Sequence, residues 1–359
     1  MEEVVSVSER LASAYRGRRV LVTGHTGFKG AWLCAWLQRL GAQVAGFSDD
    51  VPTEPSHFAG LRLEIDDRRG DVADVQAMAA AVREARPEIV FHLAAQSLVR
   101  RAYDDVIGTY RTNLLGTLSA FEACRASGSV AAIVSATTDK VYRNREWEWG
   151  YRENDELGGS DPYSASKSCV ELATSSYRES FLRDGGMLIA SVRAGNVIGG
   201  GDWAEDRLIP DIVRAVYGGR SVHIRNPQST RPWQHVLDPL AGYLAVGARL
   251  LQGDRVAADS WNFGPLAKAS ISVADILALM KKMLPQLEVN YAPDAEGRHE
   301  SGLLQLDSSK AAARLGWRPR WEGEMLERTL EWYRAYYEEK RLLTDEQLDA
   351  YVRELDGDR

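Results

Sequence analysis

Tyr163 and Lys167 stand four residues apart in "YSASK", at the start of a segment with helical patterning. On a helix that spacing puts both side chains on one face. An ammonium beside a phenol favours the phenolate and draws the tyrosine pKa toward neutrality. Such a tyrosine can take the proton of an alcohol while hydride leaves the same carbon. Upstream, "SATTDKVY" carries Thr138, Asp139 and Lys140 just after the apolar run "VAAIV". Plain surface turns are richer in Gly, Pro and Asn, so this way out of a core suggests a dedicated use. On a continuing strand Asp139 and Lys140 would face opposite sides. The chain is therefore expected to turn directly after Thr138, so that both can serve one ligand.

A partner for hydride chemistry is written nearer the N-terminus. "VLVTGHTGFKGAWL" spaces Gly24, Gly27 and Gly30 by three, between a strand and a helix. Glycines in that context let the backbone turn tightly and approach a pyrophosphate, with the helix N-terminus facing the charge. The second strand ends in "SDD", where Asp49 or Asp50 could accept hydrogen bonds from an adenosine ribose, which favours NAD over a 2'-phosphorylated cofactor. Asp71 in "GDVAD" could reach the adenine or cap the next helix. "HLAAQ" closes a further strand with small residues, as a cofactor lying across the strand end requires.

These residues need a frame. Strands are expected at 19–23, 43–47, near 61–65, and at 88–94, 130–134 and 187–195. Helices are expected at 30–40, 72–86, 103–127 and 162–182. The strands are near-continuous apolar runs alternating with helices, which implies a parallel sheet covered on both faces. The expected fold is α/β, a Rossmann-type doubly wound sheet over residues 1–195. A smaller mixed α/β substrate lobe over 196–359 follows, some of it returning to the sheet. That lobe is expected to hold helices at 208–217, 239–251, 273–283, 308–315 and 322–339, and strands near 222–225 and 260–263. "TDEQLDAYVREL" reads as an amphipathic, peripheral cap.

Composition excludes several classes. The chain has 359 residues and a formal net charge of -7. It carries no long Lys/Arg run, so nucleic acid is not an expected partner. No apolar stretch has the length of a membrane span, and "MEEVVSVSER" lacks the features of a signal peptide. Cys34, Cys124 and Cys169 are odd in number and far apart, which reads as buried free thiols in a reducing cytoplasm. The histidines form no ligand spacing, and no metal is expected.

Taken together, the TGxxGxxG turn, the Thr after the fifth strand and the YxxxK pair resemble the extended short-chain dehydrogenase/reductases, over nearly the whole chain. "TTDKVY" resembles the nucleotide-sugar 4,6-dehydratases, which carry Thr-Asp-Glu at this point. The Asp-Lys variant, with "GHTGFKGAWL", "NREWEWGYREND" and "LGGSDPYSASK", is similar to the branch that takes CDP-glucose. The resemblance implies a lyase with tightly held NAD. It oxidises the sugar at carbon 4, eliminates water across carbons 5 and 6, and returns the hydride to carbon 6. Thr138 would bond the carbon 4 oxygen and Tyr163 would be the base for the oxidation. Lys167 would hold the cofactor ribose, and Asp139 would be the acid for the leaving water. Lys140 replaces the usual glutamate base. A lysine is a base only when neutral, and Asp139 beside it favours the ammonium. Lys140 is therefore assigned to the elimination, either as the base, by orienting Asp139 or a water, or by stabilising an enolate.

The same resemblance assigns Gly24, Thr26, Gly27, Phe28, Lys29, Gly30, Asp49, Asp71, Val72, Leu93, Ala94, Ala95 and Asn113 to the cofactor. It assigns Gln96, Ser97, Asn196, Arg207, Arg231 and Arg298 to the nucleotide sugar. The two long helices imply a homodimer or homotetramer. Trp203 and Trp233 either stack on a base or fill the core. A 4-epimerase, a dehydratase for another nucleotide and a non-catalytic dinucleotide sensor remain as alternatives. The elimination pair argues against the first, and the intact Thr138–Tyr163–Lys167 set against the last.

Overall fold

The computed structural model describes residues 6–183, 185–265, 271–291 and 303–357. Seven parallel strands form the central sheet. Six run in chain order: β1 (Arg19–Thr23), β2 (Gln43–Ser48), β3 (Asp66–Arg69), β4 (Ile89–His92), β5 (Ala132–Ala136) and β6 (Leu188–Ala194). The spatial order is Ser260–Phe263, β6, β5, β4, β1, β2, β3. It reverses direction between β1 and β4, the crevice where open α/β sheets bind ligands.

Alternate strand residues feed two cores. Val20 and Val22, Ile89 and Phe91, and Val134 pack on one face, with the helices Phe28–Arg39, Leu208–Tyr217, Leu237–Leu251 and Met325–Arg334. Leu21, Val90 and Ile133 pack on the other, with the helices Val75–Ala85 and Gly116–Ser127. Burial on both faces explains why these strands read as unbroken apolar runs. Strand Ser260–Phe263, from late in the chain, pairs with β6 from Ser260↔Ser191 to Phe263↔Ala194 and covers what would be an open edge.

Three expectations shift. The strand expected near 61–65 is a short helix, His57–Leu61, followed by β3. The residues of β3 are Asp-Asp-Arg-Arg, so pairing with β2 at the sheet edge overrides the hydrophobic pattern. The helix expected over 103–127 is broken at Asp105. That residue leaves helical geometry and its carboxylate accepts the Gly108 N–H at 2.9 Å, capping a new helix. β5 runs two residues later than "VAAIV" suggested. Cys34 and Cys124 are buried free thiols and Cys169 is half-buried. Among the described residues no helix is long and apolar enough to cross a membrane.

The C-terminal helix Thr344–Asp356 is more than a peripheral cap. Tyr351 and Leu348 are fully buried, and Tyr351 packs edge-on against Trp36 and Trp321. Its hydroxyl donates to buried Asp238 Oδ1 at 2.8 Å, which also accepts the Arg320 N–H at 2.7 Å. Burial pushes the Asp238 carboxyl up to about 6, with those two bonds opposing. The folded state thus holds this proton more tightly than the unfolded chain. The stability tied to it is complete below the ordinary value of 3.8 and is lost as pH rises through about 6. Asp238→Asn lacks this slope. Its stability relative to the native protein should therefore rise between about pH 4 and pH 6, by about 1–3 kcal/mol in urea unfolding. A difference independent of pH would contradict this account.

Candidate active site

Two glycines shape the nucleotide turn. Gly24 leaves β1 with φ 72°, and a Cβ there would lie 2.7 Å from Ala94 N. A Cβ on Gly30 would lie 2.1 Å from the Gly24 carbonyl oxygen. Helix Phe28–Arg39 starts from Gly27 with no side-chain cap, so its first N–H groups face the crevice. Thr26 fixes the turn by donating to the Asp50 carbonyl at 2.6 Å. Asp49 is exposed just past the end of β2, as a ribose contact requires. Asp71 accepts the Ala73 N–H at 2.8 Å and pairs with Arg111 at 2.7 Å. The cap of helix Val75–Ala85 is Asp74. Val72 is buried against Gly116.

The exit of β4, at Leu93, Ala94 and Ala95, is braced by buried Asn113. Its Oδ1 accepts the Gln96 N–H at 2.8 Å, and its Nδ2 donates to the Gln96 carbonyl at 3.0 Å and to Ser166 Oγ at 2.9 Å. Asn113 holds the β4 exit from the helical stretch after Asp105. The Gln96 side chain is spent on Leu98 and Thr109 and does not reach into the cavity.

At the end of β5 the chain turns as expected. Asp139–Val141 is one 3-10 turn, and Thr138 Oγ1 accepts the Lys140 N–H at 3.4 Å. Asp139 Oδ1 accepts from the Thr138 hydroxyl at 3.0 Å and from Lys140 Nζ at 3.1 Å. Its Oδ2 is buried without a partner. Asp139 thus lies behind the wall, while Thr138 and Lys140 line the cavity.

Helix Pro162–Ser180 begins with Asp161 capping the Ser164 N–H and Pro162 in its first turn, which places Tyr163 at the rim. Lys167 Nζ donates to the Ala136 carbonyl at 3.0 Å. The expected lowering of the tyrosine pKa is absent here. Burial pushes Tyr163 up to about 12, opposed by its contact with Thr138. Burial, with Lys29 nearby, pushes Lys167 down to about 8. Lys29 is likewise pushed down to about 8, by burial and Arg207.

A cavity of about 390 Å³ unites these parts. Its wall includes Lys29, Ser97, Thr138, Lys140, Tyr163, Asn196, Arg207 and Arg231. Arg207 is aimed by bonds to Asp202 at 2.8 Å and Ser97 at 3.0 Å, and Asn196 Oδ1 is buried without a partner. Arg298 lies outside the described residues. Sequence reasoning missed Arg100, Asp202 and Arg225 on this wall. Only Asp202 had a signal, in the glycine-rich "GGGDW". Trp203 is core, packed against Trp332 and Tyr336, whereas Trp233 borders the cavity. Trp147 stacks on Tyr151 and Trp149 is 63% exposed, so neither walls the site.

Residues 21–330 match the family model described as GDP-mannose 4,6 dehydratase. The CDP-glucose 4,6-dehydratase of Salmonella typhimurium is 48% identical over 331 residues, covering 90% of this chain and 92% of that protein. An epimerase of Methanothermobacter thermautotrophicus superposes with a TM-score of 0.80 at 25% identity, over 95% of this chain and 97% of that one. The dTDP-glucose 4,6-dehydratase of Streptomyces venezuelae, solved with NAD bound, shares the fold with a TM-score of 0.76 at 24% identity. That match covers 90% of this chain and 100% of the other.

The Asn113 brace can be tested directly. Asn113→Ala strands the Gln96 backbone groups, and unfolding should show a loss of about 2–4 kcal/mol. Asn113→Asp keeps the acceptor for the Gln96 N–H but loses both donated bonds, so it should not restore the native value.

Proposed function

Because the chain belongs to the GDP-mannose 4,6 dehydratase family, we propose that it is a CDP-glucose 4,6-dehydratase, converting CDP-D-glucose to CDP-4-keto-6-deoxy-D-glucose. The observation that carries this reading is the turn after β5. It presents Thr138 and Lys140 to the cavity beside Tyr163, with Asp139 bonded to both from behind. An epimerase has no use for that pair. The relative at 48% identity supports CDP as the nucleotide.

The crevice fits NAD. Gly24 and Gly30 let the turn close on backbone that any Cβ would strike, which keeps it tight enough for a pyrophosphate to approach, and the open helix N-terminus suits that charge. When bound, NAD supplies a hydride acceptor for carbon 4, a donor for carbon 6 and a positive ring that favours the Tyr163 phenolate. Tyr163 takes the carbon 4 hydroxyl proton while Thr138 holds that oxygen. Lys167 is anchored on the Ala136 carbonyl to meet the ribose. The new ketone acidifies carbon 5. Lys140, on the cavity wall, meets the elimination directly. Asp139 serves it from behind through its bonds to Thr138 and Lys140, rather than as an acid in contact with the sugar. In that step one proton leaves carbon 5 and one joins the departing hydroxyl of carbon 6. Arg207 and Arg231 offer planar forks to the diphosphate, and Asn196 on the same wall can add an amide N–H donor.

Incubation with CDP-, dTDP-, UDP- and GDP-glucose should give the alkaline chromophore of a 4-keto-6-deoxy sugar with the CDP form. No chromophore with any of them sinks the dehydratase reading. Lys140→Ala should cut turnover by about 100-fold or more and abolish solvent deuterium uptake at carbon 5. Unchanged turnover would remove Lys140 from the mechanism.

The chain also self-associates in this reading. Ile107, Leu115 and Leu172 are 79%, 52% and 60% exposed on the helices beside the site, an apolar surface suited to a second copy. Light scattering at micromolar concentration should give at least a dimer, and a monomer would refute this.

A further inference from the structure

The segment after β5 that faces the sugar, Thr138 to Lys140, is bracketed by Thr137 and Tyr142, which also border the cavity. Both bracket residues bind one buried ion pair. Glu171 lies one helical turn beyond Lys167, Arg193 lies near the end of β6, and their side chains are 1% and 2% exposed. Glu171 Oε2 accepts from Arg193 Nη2 at 2.8 Å and from the Ser191 hydroxyl at 2.7 Å. Its Oε1 accepts from the Thr137 hydroxyl. Arg193 Nη1 donates to the Tyr142 hydroxyl at 2.6 Å and to the Glu153 carbonyl at 3.1 Å. The Tyr142 hydroxyl in turn donates a hydrogen bond to Asn262 Oδ1 at 2.7 Å.

Stability alone is a poor reason for such a pair, because desolvating two charges costs about as much as their attraction returns. Direction is a better one. The carboxylate fixes one end of the turn and the guanidinium the other, and both ride on elements that carry the site.

We propose that Glu171 and Arg193 are positioning residues, one for each half of the reaction. Glu171 acts through Thr137 to aim Thr138 for the oxidation. Arg193 acts through Tyr142 to aim Asp139 and Lys140 for the elimination. The assignment rests on the dehydratase reading.

Two substitutions probe the ends separately and leave the ion pair in place. Thr137→Val should slow hydride transfer, raise the isotope effect of substrate deuterated at carbon 4, and show no build-up of reduced nicotinamide in a single turnover. Tyr142→Phe should let oxidation proceed and stall elimination, so reduced nicotinamide absorbance accumulates. Each should lower kcat by about 10- to 100-fold with KM within about twofold, since small misplacements act on the transition state. Thr137→Ser should restore the native rates. Native kinetics in both variants, or equal slowing of both steps, overturns the positioning roles while the keto sugar still forms. An unaltered enzyme that forms no keto sugar overturns both readings.

Discussion

No side chain fits between the ends of β1 and β4, and the site is arranged around that contact. Any Cβ on Gly24 would strike the Ala94 backbone. The approach is held by a buried chain of hydrogen bonds. Thr23 Oγ1 accepts the Ala94 N–H at 3.2 Å and meets His92 Nδ1 at 2.8 Å, while His92 Nε2 meets Thr117 Oγ1 at 3.0 Å. Burial pushes His92 down to about 3, so the imidazole stays neutral and the chain does not change with physiological pH. The dinucleotide turn lies on one side of this contact and the β5 turn with Tyr163 on the other.

Electrostatics gives the crevice its character. A protein of net charge -7 lines one cavity with Lys29, Arg100, Lys140, Arg207, Arg225 and Arg231 against Asp161, Asp202, Asp206 and Asp211, and holds Lys167 nearby on the Ala136 carbonyl. Asp139 and Asp202 each pair with a cation there at 3.1 Å and 2.8 Å. The surplus of positive charge suits a pyrophosphate-bearing ligand, and low local polarity strengthens every such attraction. The same burial lowers Lys29 and Lys167, so the surplus declines on the alkaline side.

Much of this was legible in the sequence because local rules act alone there. The glycine spacing, the YxxxK pair and the turn after Thr138 follow from backbone and helix geometry. Helices Leu208–Tyr217 and Val273–Met283 fell where their periodicity put them. What was not legible depends on neighbours. Tyr163 rises because of what surrounds it, which no pairwise spacing encodes. Asp139 retreats behind the wall because Thr138 and Lys140 both claim one of its oxygens. Asp71 pairs with Arg111, forty positions on. β3 is charged and defies its propensity, since the edge of β2 offers it backbone partners.

Strand Ser260–Phe263 has a consequence for anyone exchanging halves between relatives to change nucleotide preference. It closes the sheet against β6, and Asn262 Nδ2 and N–H reach back to the Tyr151 carbonyl at 2.8 Å and to Glu153 at 2.9 Å. A crossover placed after β6 therefore imports a foreign strand into the native sheet. Chimeras of this scaffold must match that seam before any pocket residue can be judged.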